Sequence, residues 1–392
     1  MRIGILSLPL HTNYGGILQA YALQTVLERM GHEVVVFDTP KEMHLPLWKA
    51  PLAYGKRFLE KYVMGNKGVC VFYEQKINRE NPIIRQYTDA FISKYIHTKT
   101  IKNFSEFHGK YFDCIIVGSD QVWRPMYFTY LFSTDMDNAY LAFADKWNIK
   151  RVAYAPSFGT DEWEYTPKQT ERCGELLRKF DGISVRESSG VGLCKEHFGV
   201  QAEHVLDPTM LLAKEDYIKL FTDAKAPKSK GTLLCYVLDE TPEKQALVKR
   251  IANERNLVPF RVNNSKVENH SAPLNERIQP PVEKWLRGFY DAEFVVTDSF
   301  HACVFSILFE KQFVVVGNEK RGMSRFNSLL KMFGLENRLF INDDSLANLS
   351  DIDYSLVSRQ FVVKKQTAVA FLNKTLNGDN SASKGKTYKT WA

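Results

Sequence analysis

Residues Arg2–Asp38, RIGILSLPLHTNYGGILQAYALQTVLERMGHEVVVFD, decide how the rest of the chain is read. Arg2 to Ser7 is an apolar run, His11 to Gly16 is a polar turn with two glycines, and Ile17 to Met30 carries apolar residues at three- and four-residue spacing, the mark of an amphipathic helix. Gly31 ends that pattern and Glu33–Asp38 is a second buried strand. The unit is β-α-β, which implies a parallel sheet with a right-handed crossover.

Working outward, short apolar runs that stop at polar or glycine residues recur. They are Cys114–Val117 before Gly118-Ser119-Asp120, Arg151–Ala155 before Pro156-Ser157, Gly182–Val185 before Arg186-Glu187, and Val205–Asp207 before Pro208. A second series holds strands at Leu233–Leu238, Val258–Val262, Phe294–Thr297 and Phe313–Val316, with helices at Pro242–Asn256, around Pro281–Tyr290 and after His301. The fold class expected is α/β, with two Rossmann-like doubly wound domains facing a cleft. Their spans are 1–212, with a basic, aromatic, mainly helical insertion at 41–110, and 213–376; residues 377–392, rich in Gly, Ser, Lys and Asn, are expected to be a disordered tail.

Composition narrows the class further. With 392 residues, 44% hydrophobic and 25% charged, disorder, collagen-like repeats and coiled coil are excluded as the main structure. The apolar stretch Ala302–Phe309 is far short of the ~20 residues of a membrane helix, and the opening residues lack the pattern of a signal peptide, so a cytoplasmic protein is expected. Six scattered cysteines without C-x-x-C or zinc spacing predict reduced thiols and no metal. The net charge of +7 is local: residues 41–110 hold thirteen Lys/Arg against six Asp/Glu, and the remainder holds 39 of each sign. Nucleic-acid binding is a poor fit, because no recognition motif accompanies that segment.

In doubly wound sheets ligands sit beyond the carboxyl ends of the strands, which singles out five loops. Thr297-Asp298-Ser299-Phe300-His301 puts a histidine in the first turn of a helix, where free amides favour an anion; it serves as proton donor or phosphate partner, or else it caps and packs. Asn318-Glu319-Lys320-Arg321-Gly322-Met323-Ser324-Arg325 follows a strand with three cations in six residues, suited to a phosphate or carboxylate, or else solvated. Arg186 offers a guanidinium fork to the same anion, or pairs with Glu187 or Asp207. Asp120, Gln121 and Trp123 place a base, an amide and an indole together for a sugar, or else the acid caps a helix and Trp123 is core. Asn13-Tyr14-Gly15-Gly16 is neither G-x-G-x-x-G nor a P-loop.

Taken in order, Asn13-Tyr14-Gly15 with Gln19–Gln24, Val117–Trp123, Ala155–Gly159, Ser184–Glu187, Leu206-Asp207-Pro208-Thr209, Thr297–His301 and Arg321–Phe326 resemble the polysaccharide pyruvyl transferase family, over about residues 1–340. The resemblance implies a GT-B-like architecture and transfer of the pyruvyl unit of phosphoenolpyruvate to a sugar as a cyclic ketal, with no cofactor beyond that donor. It implies His301 as the essential histidine, and Asp120 is the base expected from its own loop. Arg186, Lys320 and Arg321 are implied for phosphoenolpyruvate, with Ser299, His301, Asn318 and Arg325 expected beside them, and Asn13, Tyr14, Gly15, Gln121 and Trp123 are expected on the acceptor side. The family's Arg-Leu-His stands here as Ser299-Phe300-His301, so Arg321 or Arg325 is expected to supply the missing guanidinium. The expected acceptor is a free, nucleotide-linked or lipid-linked sugar of a capsule, exopolysaccharide or wall polymer, with galactose 4,6-ketal as product. The segment 41–110 touches anionic lipid of the inner membrane face or the acceptor's diphosphate, or else is a charged helical surface with no partner. The alternatives are a GT-B glycosyltransferase using a sugar nucleotide and a non-catalytic component of polysaccharide assembly.

Overall fold

The computed structural model describes residues 1–40, 42–107, 111–267, 269–317, 322–340 and 349–378. Its first half runs β1 (Arg2–Leu6), α1 (Tyr14–Arg29), β2 (Glu33–Asp38), α2 (Ala50–Tyr62), α3 (Tyr73–Ile84), α4 (Gln86–Tyr95), β3 (Thr98–Thr100), β4 (Cys114–Val117), α5 (Pro125–Phe132), β5 (Lys150–Ala153), α6 (Pro167–Leu177), β6 (Gly182–Val185), α7 (Ser188–Leu193) and β7 (Glu203–His204). The second half runs α8 (Lys214–Asp223), β8 (Leu233–Tyr236), α9 (Pro242–Glu254), β9 (Pro259–Phe260), α10 (Val282–Asp291), β10 (Phe294–Thr297), α11 (Phe300–Leu308), β11 (Gln312–Val316), α12 (Ser324–Phe333), β12 (Leu339–Phe340) and α13 (Tyr354–Asn377).

The opening β-α-β unit forms as expected. Ile3, Ile5 and Leu6 are buried, β1 pairs in parallel with β2 from Arg2 opposite Glu33, and Asn13 caps α1 by accepting from Gly15 N at 3.1 Å. The pairings of both sheets are parallel, and central strands such as β4, β8 and β10 read as near-continuous apolar runs because both their faces are covered. The strand order β3-β2-β1-β4-β5-β6-β7 reverses between β1 and β4, and β12-β11-β10-β8-β9 reverses between β8 and β10. These are the two topological switch points, where such sheets bind ligands. One apolar cluster runs from Ile3 and Leu18 through Met210 and Tyr217 to Trp285 and Phe305, so the halves share a core.

Three differences from the sequence reading have physical causes. Val205–Asp207 is not a strand: Val205 N still donates to Val185 O at 3.1 Å, but the chain then leaves the sheet, and Asp207 caps the turn Pro208–Leu211. The insertion is mostly helical but also adds β3 to the sheet edge, paired with β2; residues 41 and 108–110 lie outside the described residues. Helix α13, assigned by sequence to the second domain, returns to the first: Phe371 packs on Tyr154 at 6.2 Å between ring centroids, and Lys150 Nζ donates to Thr375 O at 2.9 Å. Of the expected tail, Asn377 ends α13, and 379–392 lie outside the described residues. The six cysteines are free, five of them buried.

Candidate active site

At the first switch point, β4 runs into Gly118-Ser119-Asp120. Ser7 Oγ, just past β1, donates to Ser119 O at 3.2 Å, and Gln19 of α1 donates from Nε2 to Ser119 Oγ at 2.6 Å and to Asp207 Oδ2 at 2.5 Å. Asp207 is the hub of this region. Its Oδ1 accepts from Thr209 N at 3.0 Å and Thr209 Oγ1 at 2.7 Å, and its Oδ2 also accepts from Arg186 Nη1 at 3.2 Å. Burial alone would raise its carboxyl, but His301, Arg186 and Thr209 outweigh that and hold it well below the ordinary carboxylate range.

At the second switch point, β10 delivers Thr297, Asp298 and Ser299 to the start of α11. Asp298 does not cap that helix; it turns back and accepts from Leu238 N at 2.7 Å, Asp239 N at 3.1 Å and Lys244 Nζ at 2.7 Å. Ser299 occupies the cap position, but its side chain makes no capping bond, while its N–H donates to Thr297 Oγ1 at 3.0 Å. His301, buried in the first turn of α11, reaches across to the first half. A Cβ on Gly15 would lie 2.0 Å from its Nδ1, so only glycine lets the start of α1 meet the ring. His301 Nε2 is 3.7 Å from Asp207 Oδ2, within ion-pair reach but longer than a hydrogen bond.

Arg186 comes from the end of β6. Besides Asp207 it faces Asp120, with Nη2 3.7 Å from Oδ1, and its guanidinium lies 4.7 Å from the centre of the Phe300 ring. Arg325, on α12, lies 5.7 Å from the same ring. Burial and the neighbouring Arg186 charge pull Arg325 down to about 10. Two guanidiniums therefore share one aromatic ring beside His301. Arg186 Nε and Nη2 and His301 Nε2 are buried without a hydrogen-bond partner among the described residues. The loop after β11 closes on the first half at Gly322 (φ +88°), where a Cβ would lie 1.9 Å from Gly159 O. Phe158 N and Gly159 N in turn donate to Glu187 Oε1 at 2.7 and 3.3 Å.

The structure thus brings Asp120, Arg186, Ser299, His301, Arg325 and Gly15 to the seam between the halves. Asn318, Lys320 and Arg321 lie outside the described residues. Asn13 is exposed, and half-buried Gln121 accepts from Arg124 Nη1 at 3.3 Å. Two acceptor residues are corrected. Trp123 is fully buried, stacked on Tyr140 at 5.0 Å, because the turn after β4 directs its apolar side into the core under the first sheet. Tyr14 is also fully buried, and its hydroxyl donates to Pro280 O at 2.6 Å, tying α1 to the second half. Gln19 and Asp207 were not singled out for a role at the site; Leu206-Asp207-Pro208-Thr209 carried the signal for Asp207, and the motif Gln19–Gln24 that for Gln19. A hollow of about 530 Å³ lined by Cys235, Lys244 and Arg261 among others lies beside β8 and β9 and includes none of the predicted site residues.

A family model described as polysaccharide pyruvyl transferase matches residues 13–320. The chain belongs to the polysaccharide pyruvyl transferase family. This pyruvyl transferase is therefore a transferase enzyme of polysaccharide pyruvylation, and the match takes in Asn13, Asp120, Arg186 and His301, stopping short of Arg321 and Arg325. Comparison with curated proteins finds no match. Among solved structures, the pyruvyl transferase is similar to UDP-GlcNAc 2-epimerase from Neisseria meningitidis bound to UDP-GlcNAc (12% identity, 95% of this chain and 100% of that one, TM-score 0.42). It is also similar to E. coli ADP-heptose lps heptosyltransferase II (10% identity, 94% and 99%, TM-score 0.35), and to the N-terminal domain of Candida albicans trehalose-6-phosphate phosphatase (10% identity, 96% and 99%, TM-score 0.41).

Proposed function

We propose that the enzyme moves the pyruvyl group of phosphoenolpyruvate onto a hexose of a capsular, exopolysaccharide or cell-wall precursor and releases phosphate. The observation that carries this reading is the group of buried nitrogens without a hydrogen-bond partner among the described residues, Arg186 Nε and Nη2 and His301 Nε2, the last two with a carboxylate no nearer than 3.7 Å, beside a second buried guanidinium. Each such donor costs about 1–3 kcal/mol if left unsatisfied, and the carboxylate and phosphate oxygens of the donor substrate match them. Asp120, Glu187 and Asp207 already offset the charges of Arg186 and Arg325. A donor of about three negative charges therefore calls on further cations, and Lys320 and Arg321 are assigned that part.

His301 gives a proton to the methylene carbon, which leaves an oxocarbenium-like centre at the neighbouring carbon. A sugar hydroxyl adds there and loses its proton to Asp120. A second hydroxyl of the same sugar then attacks and gives its proton back to His301, the carbon–oxygen bond to phosphate breaks with its electron pair leaving on phosphate, which takes up the proton held by Asp120, and the cyclic ketal closes. Ser299 and Arg325 steady the donor, and Asn13, Gly15 and Gln121 line the acceptor side. A galactose 4,6-ketal is the product to seek first.

The test is a thermal-shift titration with phosphoenolpyruvate beside UDP-galactose, followed by proton NMR of a galactoside incubated with donor and enzyme. Phosphoenolpyruvate at 100 times its dissociation constant adds about 2.7 kcal/mol, with the shift smaller in Arg321→Ala and His301→Ala. Protection by the nucleotide sugar alone would overturn the reading in favour of a glycosyltransferase.

A further inference from the structure

Helix α2 is built inside out. Its inward side carries Arg57, which donates from both terminal nitrogens to Glu74 of α3 at 2.8 Å each, together with Tyr54, packed on Phe72 at 5.2 Å. Its outward side carries Leu52, Phe58, Leu59, Tyr62 and Val63, all more than half exposed, and no residue of the helix is buried. Leu47 at 92% exposure and Trp48 at 73% extend the same apolar surface just before the helix. A helix that turns its polar side to the protein and its apolar side outward calls for a covering, and the described residues do not supply one.

Charge indicates what covers it. Residues 43–73 hold five Lys/Arg and one acid, Glu60. Arg57 is committed to Glu74, but Lys49 and Lys67 flank the apolar face in exposed positions, as does Lys56, 3.8 Å from Glu60. Lysine is depleted in protein–protein interfaces. Lysine around outward Trp, Tyr, Phe and Leu is instead the composition of helices lying in the headgroup layer of an anionic bilayer. Among the described residues no helix is long and apolar enough to cross a membrane, so contact here means lying on the surface. We propose that α2 and the segment before it dock the enzyme on an anionic lipid bilayer. This does not rest on the proposed reaction.

The test is co-sedimentation of the full chain with vesicles of phosphatidylcholine containing about one third phosphatidylglycerol, against vesicles of phosphatidylcholine alone. The expected bound fraction is about tenfold higher on the anionic vesicles and falls with added salt. Combining Leu52→Ser, Leu59→Ser and Val63→Ser should weaken binding about tenfold or more without lowering the melting temperature, since these side chains are exposed. Lys49→Glu with Lys56→Glu and Lys67→Glu should weaken it on anionic vesicles. No binding by the unaltered chain, or unchanged binding by the serine variant, would overturn the proposal. So would concentration-dependent dimerisation abolished by the serine variant, which would give the surface to a second copy.

Discussion

The contact between His301 and Gly15 leaves no room for a side chain, which makes it the sharpest place to probe the chemistry. His301→Ala should lower ketal formation by about 10²–10⁴-fold, measured as steady-state turnover, with the circular dichroism spectrum unchanged. Gly15→Ala should produce a comparable loss, because its methyl would occupy the ring's position. Gly16→Ala, whose methyl meets nothing nearer than 3.5 Å, should stay within a few-fold of the parent. Asp207 makes a prediction about pH. Its carboxyl titrates lower in the folded than in the unfolded chain. The stability it contributes is therefore present above the unfolded value of about 4 and is lost as pH falls through the folded value. Urea unfolding should show stability dropping below about pH 4. Asp207→Asn, which strips Arg186 of the nearer of its two counter-charges, should cost about 3 kcal/mol at pH 7 and less as the solution is acidified. Of these residues, His301 and Gly15 were legible in the sequence as strand-end features. Asp207 was visible as a partner for Arg186 and within Leu206-Asp207-Pro208-Thr209, but not as a hub, because beside its local turn to Thr209 its contacts come from Gln19 and His301, 188 and 94 positions away, and no local spacing encodes those.

Among the elements, α13 has the clearest energetic consequence. Phe371 is 5% exposed and packs on Tyr154 of the first half. Phe371→Ala should therefore cost about 3–5 kcal/mol, read as a lower denaturant midpoint, whereas Val363→Ala, on the exposed side of the same helix at 59%, should change little. Strands such as β10 were legible residue for residue, since a buried parallel strand is an unbroken apolar run. The final strand β12, two residues long, was not, and neither was the destination of α13. Amphipathic spacing shows that a helix has something to bury, not which sheet will receive it. Trp123 illustrates the same limit within one turn: beside Asp120 and Gln121 it reads equally as a sugar platform or as core, and only the packing of Tyr140 and Phe158 around the indole decides for core.

For the molecule as a whole, the shared apolar cluster, the Tyr14 hydroxyl on Pro280 and the return of α13 predict that the two halves unfold together. Calorimetry should show one transition; two resolved transitions would mean that the seam contributes little. Phosphoenolpyruvate should raise that transition, since its proposed contacts come from both halves. By itself the sequence determined the α/β class, the two parallel sheets, most strands and the family, because apolar runs, glycine turns and motif order are local patterns that need no knowledge of distant contacts. Only the tertiary structure decided that Asp207 holds Arg186 and lies beside His301, that Tyr14 and Trp123 are buried in the packing, that α13 reaches from the second half back to the first, and that α2 faces outward with its apolar side. Each of these depends on which surfaces meet across long stretches of chain, and that is settled by packing and by the cost of burying charge rather than by any neighbour in sequence.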